Sequence, residues 1–241
     1  MHPGASMIRA VIFDFNGVLV NDEAVHCNLF REVLAEEGVD LTEQMYHDSY
    51  LGYDDRGCFE RVLLDHGQEA PAARLDELIA RKAARYFAAA EVGLSYYDGV
   101  RDLIPRLADR YPLGIYSGAL RPEIDWALGR LGVLDRFAAI ISAEQTTRCK
   151  PDPQGYTMAF EALRDHPGLG LADLDPGDCV VIEDSIAGLQ AALGAGMCGV
   201  GVAQTYTLDE LQDAGADAAI AATKDFTPEW IAATFPGTDE D

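Results

Sequence analysis

An acidic residue at the end of an apolar run near the N-terminus most constrains the fold. Four apolar residues, Ala10–Phe13, precede Asp14, and a second apolar stretch follows after a short turn. A continuous apolar run of this length is typical of a strand buried on both faces of a parallel sheet. In open α/β sheets, ligands bind just beyond the carboxyl ends of such strands. Asp14 is therefore a candidate functional residue, although an isolated acid in a solvated turn would look the same.

Two more apolar runs end in polar side chains. Residues 113–116 lead into Ser117, and residues 179–182 lead into Glu183 and Asp184. Adjacent acids directly after an apolar strand repel each other unless a cation lies between them. Mg²⁺ prefers carboxylate, carbonyl and water oxygens as ligands. The paired acids therefore favour a metal site over a solvated helix cap.

Lys150 and the Ser117–Gly118 turn provide groups that a phosphate needs. A serine hydroxyl and backbone N–H groups at a helix start can bind an anion, although a plain turn before a helix would have the same sequence. Lys150 is one of three lysines in the chain, and Pro151 holds its backbone extended. An acid, a hydroxyl, a lysine and paired acids, in this order, fit a phosphoryl-transfer site that uses Mg²⁺.

These motifs together resemble the four-part signature of the haloacid dehalogenase superfamily, whose members are mostly phosphatases. The likeness rests on residues 14–18, Ser117, Lys150 and the acids at 183 and 184, and it covers nearly the whole chain. The resemblance implies that Asp14 is the nucleophile and forms an aspartyl-phosphate. It also implies that Ser117 and Gly118 bind the phosphoryl oxygens, while Lys150 balances the charge of nucleophile and phosphate.

The resemblance further implies a Mg²⁺ site formed by Asp14, the backbone carbonyl of Asn16, Asp184 and Glu183. The position of Asn16, however, departs from the family pattern, because phosphatases of this superfamily usually carry a second aspartate there as general acid and base. An amide cannot donate and recover a proton near neutral pH. General acid–base assistance typically contributes about 10²–10⁴ in rate, so we expect slow turnover of substrates with poor leaving groups.

Three explanations of Asn16 remain open: a slow or specialised enzyme, a substitution introduced to trap an intermediate, and a protein that binds phosphates without turnover. A phosphomutase of the β-phosphoglucomutase type would use the same nucleophile, but it needs proton transfer more than hydrolysis does. Dehalogenation proper uses no metal and gives no reason for the paired acids. We therefore expect a phosphatase acting on a small phosphorylated metabolite, with the mutase and the phosphate-binding protein as alternatives.

The charge balance argues against two classes of partner. The 241 residues contain 18 Lys and Arg against 41 Asp and Glu, a formal net charge of −23. Such a surface repels nucleic acid and anionic membranes, so neither partner is expected. No apolar run approaches the roughly 20 residues that span a bilayer. Both a monomer and a small homo-oligomer are compatible with the sequence.

The cysteines and the N-terminus predict a cytoplasmic protein. The five cysteines show no paired spacing of the metal-binding kind, and an odd number argues against a complete disulfide framework. Residues 1–9 lack the sustained apolar stretch of a signal peptide.

The patterning predicts a core that is interrupted by an insertion. Residues 22–95 lose strand character, with amphipathic helical patterns at 23–37, 54–66 and 73–90. We expect these residues to form an all-helical cap domain that can exclude water from the site.

The rest of the chain predicts an α/β core. From residue 96 onward, apolar runs alternate with helical patterns, which predicts a Rossmann-like parallel sheet with right-handed crossovers and helices on both faces. Residues 1–21 and 96–241 would form this core and carry the catalytic site.

Two residues of the insertion are weaker candidates for substrate binding. In similar mutases and phosphatases of this superfamily, an arginine in a loop of the cap domain binds the part of the substrate that does not react. Arg56 follows Asp54 and Asp55 in such a loop, and a surface ion pair with either acid is the competing interpretation. His26 lies near the start of the insertion, where a structural role at a hinge is the alternative to substrate contact.

Overall fold

The computed structural model of the protein describes residues 7–237. The expectation that residues 1–9 form no signal peptide therefore falls largely on residues outside the described range. The chain forms two compact units. One contains the described residues up to Val20 and from Tyr96 onward, and the other spans Asn21–Ser95.

A six-stranded sheet, with parallel pairing throughout, forms the centre of the larger unit. Its strands are β1 Ala10–Phe13, β4 Leu113–Tyr116, β5 Phe137–Ile141, β6 Cys179–Glu183, β7 Cys198–Val202 and β8 Ala218–Ile220. Their spatial order is β5-β4-β1-β6-β7-β8. β1 therefore lies between β4 and β6, and the predicted Rossmann-like α/β core is confirmed.

Two short strands, β2 Val20–Asn21 and β3 Ser95–Tyr96, pair where the chain leaves and re-enters the larger unit. The helices of this unit are α5 Val100–Ala108, α6 Arg121–Leu131, α7 Gln154–Arg164, α8 Ile186–Gly194, α9 Leu208–Asp213 and α10 Pro228–Thr234. Short 3₁₀ helices cover Leu134–Arg136, Ala143–Gln145, Pro176–Asp178 and Thr223–Asp225.

Alternate residues of β1 pack on opposite faces of the sheet, as strand geometry requires. Ala10 and Ile12 belong to a buried apolar cluster that includes residues of α7 and α8. The Phe13 ring instead makes edge contacts with Phe137 and Phe226, with ring centroids 6.0 and 6.1 Å away. The central strand is fully buried, which explains why its sequence is continuously apolar.

The smaller unit consists of four helices: α1 Glu23–Glu36, α2 Glu43–Ser49, α3 Asp55–Asp65 and α4 Ala72–Gly93. Its apolar core includes Phe30, Leu34, Phe59 and Leu78, all buried. Three of the helices match helical patterns in the sequence. The seven-residue α2 was not predicted, and it begins where the Thr42 hydroxyl accepts a hydrogen bond from Met45 N.

None of the cysteines, all of which lie within residues 7–237, forms a disulfide. The helices within the described range include none with the length and apolarity needed to cross a membrane.

Candidate active site

The carboxyl ends of three neighbouring strands bring the predicted polar residues to one edge of the sheet. Asp14 follows β1, Ser117 follows β4, and β6 ends at Glu183 with Asp184 after it. Since β4, β1 and β6 are adjacent and parallel, their ends meet at the same edge. All four side chains are buried.

Lys150 joins two of the acids. Its Nζ lies 2.7 Å from Asp14 Oδ1 and 2.5 Å from Glu183 Oε1. Oxygen atoms of Asp14, Glu183 and Asp184 lie within 4.8 Å of one another. One buried lysine therefore faces three buried carboxylates, which leaves a deficit of positive charge.

Burial and this deficit of positive charge together shift the pKa values of the acids in the cluster. Burial, with the charge of Glu183 second, raises the pKa of Asp14 to about 7 against the opposing effect of Lys150. Burial also holds the pKa of Asp184 well above its ordinary range, and the charges of Glu183 and Asp14 add to that effect. Burial alone would lower the pKa of Lys150, but Asp14 and Glu183 outweigh it and raise the value. A divalent cation would relieve the repulsion, and the all-oxygen donor set suits Mg²⁺.

The two adjacent acids have different surroundings. Glu183 Oε1 accepts hydrogen bonds from Lys150 Nζ and from Tyr156 Oη at 2.7 Å. Its Oε2 accepts from Ser185 N at 3.1 Å and from Ser185 Oγ at 2.9 Å. A carboxylate offers about four acceptor positions, and the protein itself uses them at Glu183. Glu183 is thus suited to holding Lys150, whereas Asp14 and Asp184 are the better candidates for direct contact with a metal ion.

Ser117 and Asn16 contact each other. The Ser117 hydroxyl donates to Asn16 Oδ1 at 3.3 Å and accepts from Ala119 N at 3.0 Å. Gly118 stands between Ser117 and Ala119 in the sequence, in the bend before α6. The serine hydroxyl and the turn therefore stand beside the residue that replaces the usual aspartate.

Glycines let the backbone approach both acids. A Cβ at Gly17, whose φ is +77°, would lie 2.1 Å from Asp184 Oδ2. A Cβ at Gly188 of α8 would lie 1.9 Å from the Glu183 carboxyl group. Larger residues at either position would displace a carboxylate, so the acid pair depends on both glycines.

Two tyrosines surround Lys150 and were not predicted. Lys150 Nζ lies 5.2 Å from the centroid of the Tyr116 ring and 5.6 Å from that of Tyr156. The two rings meet edge to face at 4.9 Å. Aromatic faces attract cations, so the pair helps to hold the ammonium group. The available signals were the position of Tyr116 at a strand end and of Tyr156 in the first turn of α7.

In the helical unit, His26 belongs to a buried polar network. Lys82 Nζ lies 2.8 Å from His26 Nδ1 and 2.6 Å from Asp55 Oδ1. Because an ammonium group can only donate, His26 Nδ1 accepts, and Nε2 carries the proton that faces Asp22 Oδ2 at 3.2 Å. The Tyr86 hydroxyl donates to the same Asp22 oxygen at 2.6 Å. The scarcity of lysine could have drawn attention to Lys82 as it did to Lys150.

Arg56 lies on the surface of the helical unit. Its guanidinium group pairs with Asp76 of α4, and its side chain is 46% exposed. The partner is therefore neither of the acids that precede Arg56 in the sequence. Substrate contact by His26 and Arg56 stays a prediction.

Comparisons with known proteins agree with this architecture. A sequence model described as haloacid dehalogenase-like hydrolase matches residues 11–202. The validoxylamine A 7'-phosphate phosphatase of Streptomyces hygroscopicus subsp. limoneus is 30% identical over 210 residues, covering 86% of this chain and 92% of that protein. The β-phosphoglucomutase of Bacillus subtilis (strain 168) is 28% identical over 230 residues, covering 93% of this chain and 94% of that protein.

A solved structure also resembles the chain. The crystal structure of β-phosphoglucomutase from Clostridium difficile superposes with a TM-score of 0.80 at 23% identity, covering 95% of this chain and 97% of that one. At this identity the likeness concerns the fold.

Proposed function

The chain belongs to the haloacid dehalogenase-like hydrolases, and from that premise we propose that it is a Mg²⁺-dependent phosphatase of a small phosphorylated metabolite. The observation that carries the proposal is the buried contact of Asp14 with Lys150, beside Glu183 and Asp184. This arrangement offers a nucleophile, a fixed positive charge and oxygen ligands for a hard cation within a few ångströms.

The proposed reaction has two steps. A carboxylate oxygen of Asp14 attacks phosphorus, and the new P–O bond forms as the bond to the leaving oxygen breaks. Water then hydrolyses the aspartyl-phosphate and restores the carboxylate. When bound, Mg²⁺ supplies positive charge that stabilises the transferring phosphoryl group.

The protein's own groups act around Asp14. Lys150, 2.7 Å from Asp14 Oδ1, offsets negative charge on the nucleophile and the phosphoryl group. Glu183 and Tyr156 keep Lys150 in place. The Ser117 hydroxyl, which otherwise donates to Asn16, can turn to a phosphoryl oxygen.

Asn16 determines which substrates turn over well. Its amide cannot protonate the leaving oxygen, so the leaving group must depart as an anion. We expect rates to depend steeply on leaving-group acidity, with aryl and acyl phosphates much better than sugar phosphates.

A phosphomutase is the second candidate, favoured by the 28% identity to the β-phosphoglucomutase of Bacillus subtilis. Asn16 argues against it, because returning the phosphoryl group to a second hydroxyl requires proton transfer. A requirement for a bisphosphate activator would identify a mutase.

The absence of disulfides among the cysteines supports the proposal that the protein works in a reducing compartment such as the cytoplasm.

The test measures phosphate release from p-nitrophenyl phosphate, acetyl phosphate and a hexose monophosphate, with Mg²⁺ and with EDTA. We expect release that requires Mg²⁺ and is lost in Asp14→Asn. Asp165→Asn serves as the control, because that acid is exposed and pairs only with Arg164 among the described residues. Quenching a reaction with ³²P-labelled acetyl phosphate should trap label on Asp14. Binding of phosphate compounds without any release would support a phosphate-binding protein instead.

A further inference from the structure

We infer that Thr205 is a positioning residue for Asp184 and sets the affinity of the site for its metal ion. The inference rests on the proposed function, since it presupposes that Asp184 binds Mg²⁺. Thr205 lies in the loop between Val202, where β7 ends, and Leu208, where α9 begins. No motif in the sequence singled it out.

A hydrogen bond connects Thr205 with the acid. The Thr205 hydroxyl donates to Asp184 Oδ2, and Thr205 is half-buried while Asp184 is buried. The lysine of the cluster contacts Asp14 and Glu183 instead. Asp184 therefore depends on a neutral hydroxyl from a neighbouring loop for the orientation of its carboxylate.

The backbone at Gly17 limits the same carboxylate from another direction. A Cβ on Gly17 would lie 2.1 Å from Asp184 Oδ2, so the carboxylate packs directly on the turn that follows Asp14. Contact with Gly17 and the hydrogen bond from Thr205 together fix Oδ2. The orientation of the whole carboxylate, including Oδ1, is then set before an ion arrives.

Pre-set carboxylates bind metal ions more tightly because the ligand need not be ordered on binding. Groups that hydrogen-bond to metal ligands typically contribute about 10- to 100-fold in metal affinity. Removal of the Thr205 hydroxyl should therefore weaken Mg²⁺ binding by about this factor even when no substrate is present.

Three variants separate this role from general support of the loop. Thr205→Val removes the hydroxyl at nearly constant shape, and Thr205→Ser keeps it. Thr207→Val is the matched control, two residues away in the same loop. Thr207 caps α9, where its hydroxyl accepts from Glu210 N at 3.3 Å, and its loss costs helix stability without touching Asp184.

The experiment is calorimetric titration of each protein with MgCl₂ in the absence of substrate, together with thermal unfolding. We expect weaker Mg²⁺ binding by about 10- to 100-fold in Thr205→Val, and affinities close to that of the parent in Thr205→Ser and Thr207→Val. Equal affinities in Thr205→Val and the parent would overturn the inference and leave the proposed phosphatase intact. Equal losses in Thr205→Val and Thr207→Val would overturn it as well, since they would indicate loop support. A parent protein that binds no Mg²⁺ would overturn both this inference and the metal dependence of the proposed function.

Discussion

At the scale of single residues, the proposed function makes residue 16 the position that controls proton transfer to the leaving group. Asn16 Oδ1 accepts a hydrogen bond from Ser117, and an aspartate there could keep that contact. Residue 16 is half-buried, and partial burial beside other acids raises the pKa of a carboxyl group, which would suit it to act as general acid. We predict that Asn16→Asp raises kcat/KM for alkyl phosphates by about 10²–10⁴ and has little effect on aryl phosphates.

Steady-state kinetics on both classes of substrate check this prediction. Asn16→Ala is the control, because it also removes the amide but supplies no acid. A gain of equal size for both classes, or a gain in Asn16→Ala, would mean that residue 16 acts on binding rather than on proton transfer.

Asp14 links the stability of the metal-free protein to pH. Burial raises the pKa of Asp14 from 3.8 to about 7. Between these values the folded protein holds a proton that the unfolded chain has lost, so the free energy of unfolding falls as pH rises from about 4 to about 7. Above this window the loss is complete and adds no further slope. Burial acts in the same direction on the pKa of Asp184.

We predict that thermal unfolding in EDTA shows this fall and that Asp14→Asn shows a smaller one. Mg²⁺ should stabilise the parent most above the window, because there the ion binds a carboxylate that has no proton to displace. Asp165→Asn controls for the loss of an exposed carboxylate. Identical pH profiles for the parent and Asp14→Asn would refute the assignment of the slope to Asp14.

Most of the site residues predicted from sequence lie at strand ends, whereas Lys150 was predicted from the scarcity of lysine and its place among the ordered motifs. Asp14, Ser117 and Glu183 each follow or end an apolar run, and topology brings such ends together. Tyr156 and Thr205 could not be found in this way, because each contacts an acid far away in the sequence. Tyr156 is one of several apolar residues on the buried face of α7, and Thr205 lies in a loop with no pattern of its own.

At the scale of elements, α7 lies against β4 through a glycine. A Cβ at Gly155 would lie 2.0 Å from the Tyr116 ring, which in turn lies beside Lys150. We predict that Gly155→Ala destabilises the protein by about 1–3 kcal/mol through this overpacking and lowers the proposed phosphatase activity. Gly129 of α6 is the matched control, because a Cβ there has no neighbour within 4 Å.

The Gly129 control should change the stability of the protein in the opposite direction. Gly129→Ala should stabilise the protein by about 0.5–1 kcal/mol, since glycine is costly within a helix. Urea unfolding measures both effects. If Gly155→Ala is also stabilising, Tyr116 is not confined by α7.

The helices of the smaller unit are joined by the ion pair of Lys82 with Asp55. Lys82 is fully buried, and its ammonium group also lies 4.5 Å from the centroid of the Phe30 ring. Removing one partner of a buried ion pair typically costs about 3–5 kcal/mol, because the other charge is left buried. We predict a loss of this order for Lys82→Met, seen as faster hydrogen exchange of the α3 and α4 amides.

Lys224→Met is the control, since Lys224 is exposed. The double variant Asp55→Asn with Lys82→Met should recover part of the loss, because it removes the stranded charge. An equally destabilised double variant would show that packing of Lys82, rather than its charge, supports the unit.

Helix boundaries were predictable where capping and apolar periodicity agree. The pattern over 23–37 matches α1, but the one ending at Ala90 stops short of α4, which continues to Gly93. In the sequence, Asp152 followed by Pro153 is typical of an N-cap with proline at the first helical position. The helix instead begins at Gln154, whose N–H donates to Asp152 Oδ1 at 2.9 Å. α2 was missed because seven residues hold too few turns to show a period.

At the scale of the whole molecule, negative charge dominates. The chain carries 41 acidic against 18 Lys and Arg residues, and two of its three lysines, Lys82 and Lys150, are buried in ion pairs. The remaining surface carries a large excess of acids over arginines, so like-charge repulsion opposes the compact state. Raising KCl from about 0.1 M to about 1 M shortens the screening length from about 10 Å to about 3 Å.

We therefore predict that the melting temperature rises over this range of KCl. The increase should persist in EDTA, which separates screening by monovalent salt from the proposed binding of Mg²⁺ by the cluster around Asp14. A variant with Glu60→Gln, Glu161→Gln and Asp213→Asn, all exposed, should melt higher at low salt and respond less to KCl. If the parent and the triple variant respond equally to KCl, the repulsion is distributed over too many acids for these three positions to change it. If KCl lowers the melting temperature, the surface ion pairs of the arginines outweigh the net repulsion, because screening weakens those pairs as well.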